Sequence, residues 1–315
     1  MQNIIRLPEN VTESIDNVAP RIAGLQTIMV NVYGIGNVDG SWALVDAGLY
    51  FQANRIRAWA ERHFGRRPPK CVLLTHGHFD HVGSLRDLLE HWQAPVYAHP
   101  LEMPYLTGKS KYPPPDPFVG GGSMAMLSPL YPRGPIDLGD RVRTLAADGV
   151  VEGLPGWRWI HTPGHTPGHV SFFREEDRVL LAGDAFVTTK QESAIAVMEQ
   201  RPELHGPPAY YTSDWDAARL SVQRLAGLEP NVFACGHGLP MVGPAAAAAL
   251  QRLAENFDEV ARPTVGRYVR EPAVAGENGV IRVPPPVLGP VPKILVGAAI
   301  GGAVIYAVAR RRRPA

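Results

Sequence analysis

From Thr75 to His81 the chain reads Thr-His-Gly-His-Phe-Asp-His, which places three imidazoles and a carboxylate within six residues. Any fold this chain adopts must bring these donors together, because so dense a run of ligating side chains has little other use. The preceding Cys71-Val72-Leu73-Leu74 is short, apolar and β-prone, so it reads as a buried strand that delivers the histidines at its end. Residues two apart on extended backbone point the same way, so His76 and His78 can chelate one ion, leaving Asp80 and His81 for a neighbour. Imidazole nitrogen combined with carboxylate oxygen suits zinc, with iron or manganese as alternatives.

More segments of the same character follow. Thr162-Pro-Gly-His165-Thr-Pro-Gly-His169, Leu181-Ala-Gly-Asp184 and Cys235-Gly-His237 lie downstream, and Leu44-Val-Asp46-Ala-Gly48 lies upstream. Together with His-x-His-x-Asp-His this pattern resembles the metallo-β-lactamase superfamily from about Ile28 to Arg262, on the branch of glyoxalase-II-like and lactonase-like enzymes. The resemblance implies two divalent ions, one on His76, His78 and His165 and one on Asp80, His81 and His237, with Asp184 bridging them. It also implies that Asp46 supports the ligands from behind. For His169 it leaves open a supporting role, a contact with substrate, or plain structural satisfaction.

Composition narrows the partners. The 315 residues are 45% hydrophobic, enough for a sizeable core. Formal charge is +1, but removing the four terminal arginines Arg310–Arg313 leaves −3 for the body. No overall electrostatic footprint for nucleic acid is present, and a small-molecule substrate is expected. Cys71 and Cys235, the two cysteines, lack the spacing of a zinc knuckle or a disulfide framework and read as buried thiols.

Along the chain, Thr27–Tyr33 and Ser41–Val45 read as a β-hairpin, and Phe51–Phe64 as an amphipathic helix stopped by Gly65. A helical stripe of Leu85, Leu88, Leu89 and Trp92 precedes a strand at Pro95–Ala98. Strands are expected again at Trp157–Ile160, His169–Phe173 and Val179–Ala182, followed by a helix over Asp214–Leu225, a strand ending at Cys235 and a helix over Pro244–Val260. Short links in the second half call for mixed sheets. The expected fold is α/β (α+β), the four-layer αββα sandwich of two mixed β-sheets with outer helices that the resemblance implies.

Two segments break this rhythm. Met103–Pro135 is rich in proline, glycine and aromatics, and Thr188–Ser213 contains His205, Tyr210 and Tyr211. Loops this long are usually functional, so they are read as substrate-covering, with Tyr112, Phe118, Tyr210 and Tyr211 as candidate substrate contacts. His63, His91 and His99 are read as structural or solvent-facing, and His161 and His205 carry no assignment.

The expected organisation is a catalytic domain over 1–270, a proline-rich linker over 271–293, an uncharged stretch over 294–309 and a basic tail over 310–315. As a helix, residues 294–309 would run about 24 Å, short of a roughly 30 Å hydrocarbon core unless Lys293 snorkels. Gly297 and Gly301 form a GxxxG pair, and a membrane anchor is the expectation for this stretch. The N-terminus lacks a basic region followed by an apolar one, so a cytoplasmic catalytic body is the expectation.

The chemistry implied by the resemblance is hydrolysis. Two ions sharing Asp184 would also share a water, acidified toward hydroxide at neutral pH, and Asp80 would orient it and pass on a proton. A small ester, lactone or thioester is the expected substrate class. The competing readings are a phosphodiesterase, a single-iron persulfide dioxygenase and a membrane-tethered scaffold without turnover. His81 and His237 argue against the dioxygenase, which needs only one ion. Lactonases usually carry a tyrosine shortly after the bridging Asp, where this chain has Ala185, Phe186 and Val187; Tyr210 or Tyr211 is the candidate substitute.

Overall fold

The computed structural model describes residues 5–6 and 15–287. Two sheets carry the described chain. The first has six strands in the order Ile22–Thr27, Val30–Gly36, Trp42–Val45, Val72–Leu73, Val96–Ala98 and Val142–Thr144, antiparallel up to Trp42–Val45 and parallel beyond it. The second has five, Met241–Val242, Val232–Cys235, Val179–Gly183, Val170–Arg174 and Trp157–His161, with one parallel pair between Val179–Gly183 and Val232–Cys235.

Side-chain alternation sorts these strands into layers, because successive residues face opposite sides of a sheet. Val45, Leu73, Phe172, Leu181 and Ala234 share one buried cluster drawn from both sheets, so the sheets pack face to face. Their sequence neighbours Leu44, Val72, Leu180 and Phe233 point outward into two other clusters. Leu44 and Val72 meet Ile56 and Trp59 of the Ala53–Phe64 helix and Leu85 and Leu88 of Leu85–Trp92. Leu180 and Phe233 meet Val222 and Leu225 of Trp215–Ala226 and Leu250 of Gly243–Glu255. The result is the expected αββα sandwich.

Several boundaries differ from the sequence reading, each for a local reason. Thr27–Tyr33 is not one strand. The chain reverses at Ile28 and Met29, with Ile28 at φ 68 and Thr27 paired with Val30. Two-residue hairpins normally advertise themselves with Asn-Gly or Asp-Gly, and here no such pair exists to be read. The expected Pro244–Val260 helix breaks at Asn256 into Gly243–Glu255 and Phe257–Val260.

Part of the 271–293 linker is instead folded structure. Val274–Gly276 and Gly279–Arg282 form a hairpin whose Val280 N–H donates to Ser110 Oγ at 3.2 Å, while Ala273 N–H donates to Ser213 O at 3.0 Å. Proline content alone marks extended backbone, and these tertiary bonds decide that the segment docks on the body. The 294–309 stretch and the basic tail lie outside the described residues; among those described, no helix is long and apolar enough to cross a membrane.

One side-chain cluster locks the two sheets together beside the second-sheet loops. Asn31, on Val30–Gly36, donates through Nδ2 to Cys235 O at 3.0 Å and to Gly238 O at 2.7 Å, and Tyr33 Oη donates to Cys235 O at 2.6 Å. Replacing Asn31 with Ala takes the side-chain donor from the buried Gly238 carbonyl and leaves Cys235 O to the Tyr33 hydroxyl alone, so Asn31→Ala is expected to cost about 1–3 kcal/mol in urea unfolding. A loss below about 0.5 kcal/mol would mean that the tie does not hold the sheets.

Candidate metal centre

All the candidate ligands emerge at the carboxyl ends of strands, on one edge of the sandwich. Asp46 follows Trp42–Val45, His76 and His78 follow Val72–Leu73, and His165 follows Trp157–His161; Asp184 follows Val179–Gly183, and His237 follows Val232–Cys235. His78 is still extended, at φ −64 and ψ 152, and Phe79–Val82 then turns helical, which carries Asp80 and His81 back into the site. Between Leu181 and Gly183 the pairing with Val232–Cys235 slips, a local irregularity one residue before Asp184.

These loops place every ligand named in the sequence within one buried cluster. Three overlapping groups have donor atoms within 4.8 Å of one another: His76, His78 and His165; His76, His81 and Asp184; and Asp80, His81 and His237. Asp184 Oδ2 lies 3.6 Å from His81 Nε2, 3.5 Å from His165 Nε2 and 3.2 Å from His237 Nε2, so one carboxylate oxygen faces histidines from both expected metal faces. Asp80 Oδ2 lies 3.6 Å from His237 Nε2. Space is tight at this point: a Cβ on Gly236 would collide with Asp184 Oδ1 and lie 2.7 Å from His81 Cε1.

Hydrogen bonds behind the ligands decide which nitrogen of each ring faces inward. Thr75 Oγ1 donates to Asp46 Oδ2 at 2.8 Å and so accepts from His76 Nδ1 at 3.0 Å. Thr212 Oγ1 donates to Pro208 O at 2.8 Å and accepts from His165 Nδ1 at 3.3 Å. His81 Nδ1 donates to Asp46 Oδ2 at 2.8 Å, and His237 Nδ1 donates to Met29 O at 2.6 Å. Each of the four rings therefore turns the lone pair of its Nε2 toward the centre.

That arrangement suits a cation. His76 Nε2 and His165 Nε2 both sit 3.0 Å from His78 Nδ1, and a single proton there can serve only one of them. Among the described residues, His81 Nε2 and Asp184 Oδ1 are buried without a hydrogen-bond partner. Burial and the neighbouring imidazoles push His76 and His78 well below the ordinary histidine range and His165 down to about 4, so these rings are neutral, as ligands must be. Burial opposes charge on Asp184, but His237 and His81 outweigh it and hold the carboxyl well below its usual range. Burial likewise opposes charge on His81, yet Asp184 and Asp46 raise its affinity for a proton.

His169 lies behind the centre. Its Nε2 accepts the Asp184 backbone N–H at 2.9 Å and its Nδ1 pairs with Thr162 Oγ1 at 2.8 Å, leaving neither nitrogen free for an ion or a substrate. The four candidate substrate contacts separate. Tyr211 lays its ring against His78, with centroids 4.5 Å apart, and Tyr210 is buried with Asp80 among its electrostatic neighbours. Tyr112 is already committed: it is buried, and its hydroxyl bonds Gly77 N–H and Glu102. Phe118 is 52% exposed and lines a surface depression with Val119 and Arg262, away from the ligands.

Two further residues lie near the site outside the metal motifs. Tyr131, one of the aromatics of the Met103–Pro135 loop read as substrate-covering, packs its ring 5.6 Å from Phe79 and 6.2 Å from Tyr210, and Glu102 is fully buried between two of the loops. Glu102 carries no sequence signal, and only packing reveals it. His99, read as structural or solvent-facing, accepts the Leu101 N–H at 3.2 Å and stacks on His161 at 4.1 Å, and His161, which carries no assignment from sequence, bonds Pro167 O. His205 pairs with Glu203 at 3.2 Å. Both cysteines are buried free thiols.

Comparison with known proteins agrees with this geometry. The family model described as Metallo-beta-lactamase superfamily matches residues 26–237. The probable metallo-hydrolase YflN of Bacillus subtilis (strain 168) is 47% identical over 77% of this chain and 93% of its own length. The hydroxyacylglutathione hydrolase GloC of Haemophilus influenzae is 29% identical over 36% of this chain and 49% of its own. Among solved structures, the BLEG-1 B3 metallo-beta-lactamase aligns with a TM-score of 0.53 at 23% identity, covering 74% of this chain and 96% of that one. A beta-lactamase domain protein from Burkholderia ambifaria aligns at 0.54 and 20% identity over 80% of each chain. With the fold, the ligand order and a family match across the site in agreement, the chain belongs to the metallo-beta-lactamase superfamily.

Proposed function

We propose that this metallo-hydrolase holds two divalent ions, most simply zinc, and hydrolyses a small ester, lactone or thioester. The observation that carries the reading is the position of Asp184 Oδ2, within 3.2–3.6 Å of Nε2 atoms from His81, His165 and His237. One face would be His76, His78 and His165, the other Asp80, His81 and His237, with Asp184 shared between them. When bound, the ions supply Lewis acidity that acidifies water and polarises a carbonyl oxygen.

The chain's own residues then have separable tasks. Asp80 is the group to hold and pass a proton: it is buried, burial raises its affinity for one, and His81 and His237 pull the other way. Burial and then the Asp80 charge push the Tyr210 phenol well above its ordinary range, so it stays an O–H donor through neutral pH. Tyr210 is our candidate for the tyrosine that lactonases carry after the bridging Asp, with Tyr211 as the other. Tyr211, tilted 32° against His78, and Tyr131, against Phe79, supply apolar walls for a small organic substrate. The likeness to a hydroxyacylglutathione hydrolase supports including thioesters in the class.

Elemental analysis of dialysed protein is expected to give close to two divalent ions per chain, and Asp184→Ala is expected to lose metal and more than about hundredfold in kcat/KM together. A single tightly held iron would end the dinuclear reading. Because the ligands must shed protons to take metal, zinc affinity is expected to fall as pH falls, with proton release seen as buffer-dependent calorimetric heat. Heats that do not vary with the buffer would contradict the ligand assignment. On a matched panel of lactones, thioesters, aryl esters and bis-aryl phosphodiesters, an acyl substrate should lead, and Tyr210→Phe should cost about tenfold in kcat. Faster phosphodiester turnover would reject the proposed class.

A further inference from the structure

Glu102 stands apart from the ligand motifs, yet it touches two of the loops that carry them. It ends the Pro100–Glu102 turn just after the first-sheet strand Val96–Ala98, and its side chain is completely buried. Among the described residues no cation pairs with it; four donors surround it instead. Oε2 accepts the Gly77 N–H at 3.0 Å and the Tyr112 hydroxyl, while Oε1 accepts the Thr166 hydroxyl at 2.7 Å and the Gly168 N–H at 2.9 Å.

The division of labour between the two oxygens is what matters. Gly77 lies between His76 and His78, on a loop from the first sheet. Thr166 and Gly168 follow His165, on a loop from the second sheet. One planar carboxylate therefore spans the gap between the sheets at the point where His78 Nδ1 and His165 Nε2 approach to 3.0 Å. Tyr112 adds a third support: its hydroxyl also accepts the Gly77 N–H at 2.9 Å, and its ring sits edge-on to His78 at 4.5 Å and stacked on Tyr105 at 3.9 Å.

This close contact also accounts for two glycines. A Cβ at Gly77 would stand 2.6 Å from Tyr112 Oη, and one at Gly168 would stand 2.8 Å from Glu102 Cγ. Both loops can reach the carboxylate only with hydrogen at these positions.

We propose that Glu102 is a positioning residue for the His76, His78 and His165 face, setting the separation of the two loops and so the affinity of that face for its ion. Burying a carboxylate is costly, and a core built for stability alone would fill this place with an apolar side chain. Four convergent donors make it a rigid clamp. The inference rests on the metal reading of the preceding section and extends it to a residue outside the ligand set.

Glu102→Gln is the sharpest test because it keeps size and shape. An amide offers one acceptor end and one donor end, so whichever way it lies, one loop's N–H, that of Gly77 or of Gly168, meets an NH2 group in place of a carboxylate oxygen. In competition with a chromophoric chelator, the wild type is expected to bind two Zn2+, and Glu102→Gln to bind one of them about ten- to hundredfold more weakly. Asp116→Asn serves as the control, since Asp116 is a buried carboxylate that caps Phe118 and Arg267 N–H groups away from the ligands. It should lower thermal stability without changing zinc affinity. If Glu102→Gln lowers stability but binds both ions like the wild type, Glu102 is merely structural and the proposal fails, while the metal reading stands. If the wild type binds no zinc, both fall. Should Glu102→Gln not fold, Thr166→Val and Tyr112→Phe each remove one donor and are expected to weaken one ion about tenfold; unchanged affinity in both overturns the proposal.

Discussion

Five imidazoles and two carboxylates buried within a few ångströms of one another form an assembly that repels itself unless positive charge stands among them. The four rings whose outer nitrogens are engaged turn lone pairs inward, three of them toward Asp184, itself an acceptor. The rest of the site can be understood as what is needed to hold that unfavourable arrangement in place. Asp46 takes the Thr75 N–H and hydroxyl and His81 Nδ1, and it keeps a left-handed backbone, φ 61, to do so. Thr212, the Met29 carbonyl, His169 and Glu102 do equivalent work for the other loops.

Stability and site construction share the same framework. Three of the ligand-bearing loops leave strands that pack their inner residues, Leu73, Leu181 and Ala234, into the core between the sheets, so the ligands stand on its most rigid part. Because the first-sheet and second-sheet loops must meet, the site also reports on how the sheets are docked. Asn31 and Tyr33 bind the Cys235–Gly238 loop from the first sheet, and Glu102 binds the His165–Gly168 loop from the same sheet. Both contacts cross the interface at its catalytic edge.

The aromatic loops illustrate how far residue type can be read. Met103–Pro135 and Thr188–Ser213 do come to the metal edge, but their tyrosines take different duties. Tyr112 spends its hydroxyl on Glu102, Tyr211 faces His78, and Phe118 faces solvent. Pattern alone treats these side chains alike, because nothing in sequence says which face of an irregular loop is turned inward. Glu102 is the converse case, a single acid between two predicted elements whose role appears only when its four donors are in place.

The candidate ligands His76, His78, Asp80 and His81 were legible in the chain because metal chemistry favours particular residue types at short, strand-compatible spacings, while His165, Asp184, His237 and Asp46 entered through the resemblance. The individual strands and helices were legible because alternating and helical apolar periods mark them, and their assembly into a two-sheet sandwich was what the resemblance implied. The sequence could not show that Ile28–Met29 reverses the chain, that 274–282 folds back as a hairpin, or that His169 spends both nitrogens on Thr162 and the Asp184 backbone. Those outcomes depend on partners distant in sequence, Ser110 for the hairpin and Gly77 with Gly168 for Glu102, and only tertiary packing brings such groups within hydrogen-bonding reach.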